Sequence, residues 1–137
     1  GTRGERVVES CLGALRDPSA AVRGAALQVL ADVVNHHPHL RVDAEKITPL
    51  LDDPSGSVRG KAMGLLVPMI NDEERRKKMM PAAPRMAALL RLRQPENRAL
   101  AYTVLRLLAR KDYPRDDYAH WEAWAERAAA GQEDKEN

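Results

Sequence analysis

The sequence contains no phenylalanine, and aromatic residues make up only 4% of it. Any hydrophobic core must therefore be built from leucine, valine, alanine and methionine. β-Sheets select β-branched and aromatic side chains, whereas leucine, alanine and methionine are good helix formers. The composition therefore favours an all-α fold.

Cysteine is almost absent as well, because Cys11 is the only one. It has no partner for an internal disulfide, which is typical of a reducing compartment. No apolar run approaches the roughly 18 residues that a membrane span needs, and no signal peptide opens the chain. These absences predict a cytoplasmic protein without a membrane span. The formal net charge of +2 favours no class of partner.

What the sequence does contain is a repeated segment. DPSAAVRGAALQVL, at residues 17–30, returns as DPSGSVRGKAMGLL, at residues 53–66, which is 36 residues further on. A period of roughly 20–50 residues is typical of stacked supersecondary units. Val22 and Val58 are therefore predicted to occupy equivalent positions in two such units.

The first unit is predicted to consist of two helices. A helix over residues 5–16 is followed by the break Asp17-Pro18-Ser19, and a second helix begins near Pro18. Proline suits a first helical turn because its missing N–H would have no partner there. The predicted apolar stripe of the second helix has spacings of three and four: Val22, Ala25, Ala26, Val29, Leu30 and Val33.

The second unit repeats this plan. Asp43 is the predicted N-cap of a short helix. Pro54 opens the second helix, and Pro68 is expected to kink its last turn. The residues predicted to be buried in this unit are Ile47, Leu50, Leu51, Val58, Ala62, Leu65, Leu66 and Met69.

A third unit is recognisable but less regular. NRALAYTVLRLL, at residues 97–108, aligns with the earlier second helices at an offset of 39, and a first helix is predicted over 84–92. Between units two and three, NDEERRKKMMPAAP predicts a short charged helix that Asn71 or Asp72 caps and that Pro81 and Pro84 end.

A last helix is predicted near the C-terminus, in YPRDDYAHWEAWAERAAAG. Its buried face is predicted to carry Tyr118, Trp121, Ala125 and Ala128, with Trp124 beside them. Two tryptophans on a terminal helix are best explained as the cover of an open hydrophobic end, rather than as a base-stacking platform. Gly131 is the expected C-terminal stop.

The pattern LxDPSxxVRxxALxxL resembles HEAT repeats, the helical-pair units of α-solenoids. The resemblance covers about residues 5–110, twice closely and once partially. It implies a hydrogen-bonded ladder between neighbouring units, formed by an aspartate in the turn and an arginine of the second helix. The candidate ladder residues are Asp17, Arg23, Asp53, Arg59 and Arg98. The alternative for the same residues is an N-cap and an exposed helix charge.

Little in the sequence predicts catalysis. The tract His36-His37-Pro38-His39 could supply metal ligands, but adjacent histidines diverge and a polar loop explains them better. Cys11 lies on a predicted apolar face, as an inert packing thiol would. The sequence therefore predicts no catalytic residue, no metal and no cofactor.

Charge is distributed unevenly along the chain. Residues 73–115 contain twelve basic and four acidic side chains, which gives this segment +8. Arg98, Tyr102, Arg106 and Arg110 follow each other at intervals of four and form a candidate stripe for a partner or for phosphates. HEAT-like DNA glycosylases show that the architecture implied by the resemblance can hold DNA against a basic concave face, but no residues of a glycosylase site carry over to this sequence. The alternative is a solvated helix face.

Together these observations predict an all-α, right-handed α-solenoid of about three HEAT-like hairpins with a C-terminal aromatic capping helix. One domain is predicted over residues 1–131, with repeats at 5–38, 41–71 and 80–110, a cap at 114–131 and a disordered tail at 132–137.

The predicted function is non-enzymatic: a scaffold that binds a protein or peptide through its concave helix face. Nucleic-acid binding by the basic stripe of residues 75–115 is the alternative. The first helix has no predicted cap, and its apolar residues are Val7, Val8, Cys11, Leu12 and Leu15. We therefore expect either a longer array that this chain ends, or self-association through that edge.

Overall fold

Residues 1–132, which the computed structural model describes, fold into helices joined by short turns, and this range contains no strand. The α-helices are α1 Arg3–Ala14, α2 Ala20–His36, α3 Gly56–Met69, α4 Glu73–Met79, α5 Ala83–Leu89, α6 Pro95–Ala109 and α7 Tyr118–Ala129. Short 3₁₀ segments cover Ala44–Lys46, Thr48–Asp52 and Met80–Ala82. The fold class is therefore all-α. The predicted tail lies, apart from Gln132, outside the described residues.

The two repeated turns have the same local structure. Ser19 and Ser55 are N-caps whose hydroxyls accept the N–H groups of Val22 at 3.4 Å and Val58 at 3.3 Å. α2 and α3 therefore begin two residues after Pro18 and Pro54, later than the sequence predicts. The reason is that a serine hydroxyl satisfies an otherwise unpaired N–H of the first turn, which a proline ring does not do.

The first helices differ from their predicted form. α1 starts at Arg3 because Thr2 and Glu5 form a capping box, in which each side chain accepts the backbone N–H of the other. In the second unit the predicted short helix is replaced by the 3₁₀ segments Ala44–Lys46 and Thr48–Asp52. Pro49, which lacks an N–H, lies at the start of the second segment and disfavours an α-helix that runs through both.

Asp43 has the position of an N-cap but not the predicted contact. Its carboxylate makes no cap hydrogen bond and instead accepts from Nε of Arg41 at 2.7 Å. Ile47, Leu50 and Leu51 are nevertheless buried, as the sequence predicts.

The inserted segment and the third unit follow the sequence closely. Asp72 caps α4, and its carboxylate accepts the N–H of Arg75 at 3.3 Å. Pro84 lies in the first turn of α5 rather than ending α4, and α5 ends at Leu89, before the predicted Leu92. α3 continues through Pro68 by one residue and ends at Met69.

The helices form two layers. α3 packs between α2 and α6, so the three second helices lie side by side, while α5 packs against Thr48–Asp52 and α7 in the layer of first helices. An aliphatic and methionine core fills the space between the layers, and Trp121 and Trp124 of α7 belong to it. This arrangement is an all-α repeat solenoid.

The predicted apolar stripe of α2 is wrong at three positions. Val22, Ala25 and Val29 are exposed, whereas Leu27, which was not in the stripe, is buried. Val22 is 40% exposed but its repeat equivalent Val58 is 1% exposed. The reason lies in the stacking, because the corresponding side of α3 is covered by α2.

Candidate functional site

An arginine ladder joins the first two units. Arg23 of α2 donates from Nε to Oδ2 of Asp53 at 2.8 Å and from Nη2 to Oδ1 at 3.0 Å. The same guanidinium donates from Nη1 to the carbonyl of Asp17 at 2.8 Å. The Arg23 and Asp53 side chains are only 13% and 5% exposed. A paired guanidinium of this kind fixes the angle between the turns of neighbouring units.

The ladder continues to the third unit through Asn97, which is not among the candidate ladder residues. Arg59 donates from Nη1 to the carbonyl of Asp53 at 2.7 Å and from Nε to Oδ1 of Asn97 at 3.0 Å. Asn97 in turn donates to the carbonyl of Gly56 at 3.1 Å and is buried. Asn97 thus supplies the acceptor that an aspartate supplies in unit two.

The sequence does not predict Asn97 as a ladder residue, because the expected acceptor is an aspartate in a turn. It aligns instead with Val22 and Val58, positions predicted to be apolar. A polar side chain at a core position of a repeat needs a hydrogen-bonding partner, and that is the signal that could have identified it.

Asp17 and Arg98, the outer candidate residues of the ladder, form no ion pair within residues 1–132. The side chain of Asp17 accepts only the N–H of Ser19, at 2.8 Å, within the described part of the chain. Arg98 likewise has no side-chain hydrogen bond or ion pair to any of residues 1–132. Of the candidate ladder residues, only Arg23 and Asp53 pair through both side chains among the described residues. Arg23 and Arg59 also donate to the backbone carbonyls of Asp17 and Asp53, and Arg98 is not part of these contacts.

The pKa of Asp53 reflects opposing effects. Burial of the carboxyl group raises the pKa. Hydrogen bonds from Arg23 and from the N–H of Ser55, together with the charges of Arg23 and Arg59, lower the pKa by more than burial raises it. The net result is a pKa below the ordinary value. The ionised carboxylate is therefore the form that the folded protein stabilises.

This shift predicts a pH dependence of stability. The folded pKa of Asp53 lies below its unfolded value of about 3.9, so its contribution to stability is complete above the unfolded pKa. That contribution is lost as the pH falls from there through the folded pKa. We expect the free energy of unfolding to drop more between pH 7 and pH 3 for the wild type than for Asp53→Asn, as measured by urea denaturation. Other acidic groups titrate in both proteins and cancel, so equal losses would contradict the assignment.

The second helices also present a solvent face, which we call the second-helix face. Its residues occupy equivalent repeat positions on α2, α3 and α6: 21, 25, 28, 32, 57, 61, 64, 68, 96, 100, 103 and 107. At its centre Gly64 is exposed, and a Cβ built there meets no atom within 4 Å. Leu107, at its α6 edge, is among the exposed large hydrophobic residues. The face is therefore open, with small residues at its middle.

The predicted basic stripe is partly neutralised within the chain. Arg106 pairs with Asp112 at 3.0 Å, and Arg110 pairs with Glu73 at 3.0 Å. Arg110 also has a left-handed backbone, with φ 57°, so it ends α6 instead of extending the stripe. Tyr102 donates to the carbonyl of Tyr113 at 2.9 Å.

Other basic residues of the segment are paired as well. The ion pairs are Arg75–Asp72, Arg76–Glu73, Lys78–Glu45, Arg85–Asp52 and Arg91–Glu122. Acidic side chains from several elements therefore balance much of the charge that the linear sequence concentrates in residues 73–115.

The histidine tract lies on the surface. The side chain of His36 contacts Asp32 at 3.1 Å, and the rings of His37 and His39 meet edge to face at 6.1 Å. Over residues 1–132 no three His, Cys, Asp or Glu side chains are grouped so as to hold a metal ion. Cys11 is half-buried, and burial raises the pKa of its thiol, which disfavours the reactive thiolate.

Comparison with known proteins agrees with this architecture. Residues 7–37 match the family model described as HEAT repeat, and the matched segment contains most of α1 and all of α2. No curated protein and no solved structure matches the chain. Within the described residues, no helix is long and apolar enough to cross a bilayer.

The match supports a HEAT-repeat assignment for residues 7–37, which lie in an all-helical repeat fold. HEAT repeats are helical scaffolds that typically mediate protein interactions and are generally non-enzymatic.

Proposed function

We propose that the protein is a non-enzymatic scaffold that binds a protein or peptide partner through the second-helix face. The open surface around Gly64 is the observation that carries this proposal. Ser57, another small residue of this face, lies two turns before Gly64 on the same helix, so an approaching backbone meets little side-chain bulk at these two positions.

The charge of the second-helix face favours a protein over a nucleic acid. Its charged residues are Asp32, Lys61 and Glu96, so acidic and basic groups are mixed. Nucleic-acid binders instead concentrate unpaired lysine and arginine on one face. Arg106 and Arg110, the best candidates for phosphate contacts, are already engaged by Asp112 and Glu73.

Gly64→Trp tests the proposal. The probes are peptides selected from a random library displayed on phage, with the wild-type chain as the target. We expect Gly64→Trp to weaken binding of the selected peptides at least tenfold, because the indole fills the open space above α3. The fold should be preserved, since a side chain at this position meets no neighbour and glycine is a poor helix former.

Gly13→Trp is the matched control. Gly13 is also an exposed helical glycine with no atom within 4 Å of a Cβ, but it lies on α1, in the layer of first helices. Gly13→Trp is expected to bind the peptides as the wild type does. Peptides that bind Gly64→Trp as tightly as the wild type would contradict the proposed surface.

A random DNA duplex separates this proposal from the nucleic-acid alternative. We expect no binding to the duplex even at about 50 mM salt, because at least seven of the twelve basic residues of 73–115 already form ion pairs within the chain. Binding that weakens steeply with salt would favour the alternative.

A further inference from the structure

The N-terminal end of the stack carries an apolar surface, which we call the N-terminal face: Val7, Cys11, Val22 and Val29, with Asp17 at its edge. The three valines are exposed, although few large hydrophobic side chains are exposed within residues 1–132. Val7, Cys11 and Val29 line a shallow hollow between α1 and α2 together with Arg3, Arg6 and Ser10.

Repeat equivalence shows what covers such a surface. Val29 is 41% exposed, whereas its equivalents Leu65 in α3 and Val104 in α6 are 1% and 0% exposed. Val22 is likewise exposed, while Val58 and Asn97 are buried. In α3 these positions lie one turn to either side of Lys61, whose side chain contacts Gly24 of α2.

The layer of first helices shows the same difference. Cys11 is half-buried, whereas its equivalents Ile47 and Met86 are completely buried. The side of each later unit that packs on the preceding hairpin is therefore the side that unit one leaves in solvent.

The ladder supplies an independent observation. Asp53 accepts two hydrogen bonds from Arg23 of the preceding unit in addition to one from Ser55. The Asp17 carboxylate accepts the equivalent N–H of Ser19, but no guanidinium among the described residues donates a hydrogen bond to it. Its carboxylate thus has the acceptor positions that an arginine of a further unit would fill.

We propose that the N-terminal face docks another HEAT-type helical hairpin, whose second helix supplies an arginine to Asp17. The hairpin stacks on unit one in the register in which α2 stacks on α3. It covers Val22 and Val29 with aliphatic side chains, and its guanidinium pairs with the Asp17 carboxylate as Arg23 pairs with Asp53.

A second copy of this chain does not fit in that register. Its last hairpin would have to pack α5 against α1, but α7 already packs against α5 and occupies that position. The occupant is therefore a hairpin whose first helix is not covered by a further helix, as α7 covers α5.

A chain extended by one internal unit tests the proposal. A second copy of residues 8–43 is inserted directly after Asp43, which preserves the period of 36 residues. The original residues 1–43 then form the upstream unit and the inserted copy forms the downstream unit. Arg23 of the upstream unit faces Asp17 of the downstream unit. We expect one cooperative thermal transition, with a midpoint raised by about 5 °C or more over that of the original chain.

Two variants make the test specific. Asp17→Asn in the downstream unit is expected to lower the midpoint by several degrees, whereas the same substitution in the original chain leaves the midpoint unchanged.

Cys11→Ser in one unit at a time leaves a single thiol in the extended chain. The downstream thiol is expected to react with iodoacetamide at least tenfold more slowly than the upstream thiol.

The proposal is overturned if both thiols react at the same rate. An extended chain that does not fold gives this result too, because both thiols are then exposed. It is also overturned if the original chain sediments as a dimer that Val29→Glu dissociates, because the face then belongs to a second copy.

Discussion

Trp121→Ala is expected to lower the free energy of unfolding by about 3–5 kcal/mol, the range for removing a large buried side chain. Trp121 is fully buried, and its ring meets Tyr102 and Tyr113 edge to face at centroid distances of 6.1 and 5.1 Å. Its Nε1 donates to the carbonyl of Pro114 at 2.9 Å. The truncation removes the indole from its contacts with Tyr102 of α6 and with Tyr113, and it leaves the Pro114 carbonyl without its donor.

Urea denaturation followed by far-ultraviolet circular dichroism measures this loss without relying on tryptophan fluorescence. Glu126→Ala is the matched control, because Glu126 lies on the exposed side of the same helix and should change stability by less than about 0.5 kcal/mol. A loss below about 1 kcal/mol for Trp121→Ala would show that α7 is not the cap of the core.

Asp53→Ala is expected to lower the free energy of unfolding by about 2–3 kcal/mol. The substitution leaves the largely buried guanidinium of Arg23 without its carboxylate and removes the acceptor for the N–H of Ser55. Both losses act at the joint between two units, so the effect is larger than that of a surface ion pair.

Asp17→Ala is the control for this prediction, because Asp17 occupies the same place in the first copy of the turn. Its carboxylate accepts the N–H of Ser19, but no arginine in the described part of the chain hydrogen-bonds to it. We expect a loss of about 1 kcal/mol or less, typical of a local turn or cap contact. Equal losses for the two substitutions would mean that only the turn contact matters and that the ladder adds nothing.

Much of the fold could be predicted because the repeat and the helical period act locally. The turns at Pro18 and Pro54 predict where the second helices begin to within two residues, and the buried positions of α3 follow from their spacing. The aromatic helix is buried through Trp121 and Trp124, as the sequence predicts. These features depend on side chains close to each other in the chain.

The errors arise where the solvent exposure of a residue depends on an element that is distant in the sequence. The spacing of Val22 and Val29 is that of a buried stripe, but no helix within residues 1–132 covers that side of α2. Exposure therefore depends on the position of a unit in the stack, which a repeat pattern does not contain. Val22 and Val58 differ in surroundings for this reason, although their turns are alike.

The candidate site was harder to predict than the fold, because its contacts join units. Asn97 became a ladder residue only through its proximity to Arg59 and Gly56, which lie about 40 residues earlier in the sequence. Arg106 and Arg110 form a regular stripe in the sequence, but Asp112 and Glu73 neutralise them in the folded chain. Charge counted along a segment does not reveal such pairing.

A double-mutant cycle on Arg23 and Asp53 tests most directly whether neighbouring units are held in register by the ladder. Arg23→Ala, Asp53→Ala and the double variant are compared with the wild type by urea denaturation at pH 7. Because the two side chains act as one contact, we expect the double variant to be no less stable than Asp53→Ala alone, so the two losses are strongly non-additive. Losses that simply add would contradict the account, since the two residues would then stabilise the protein independently.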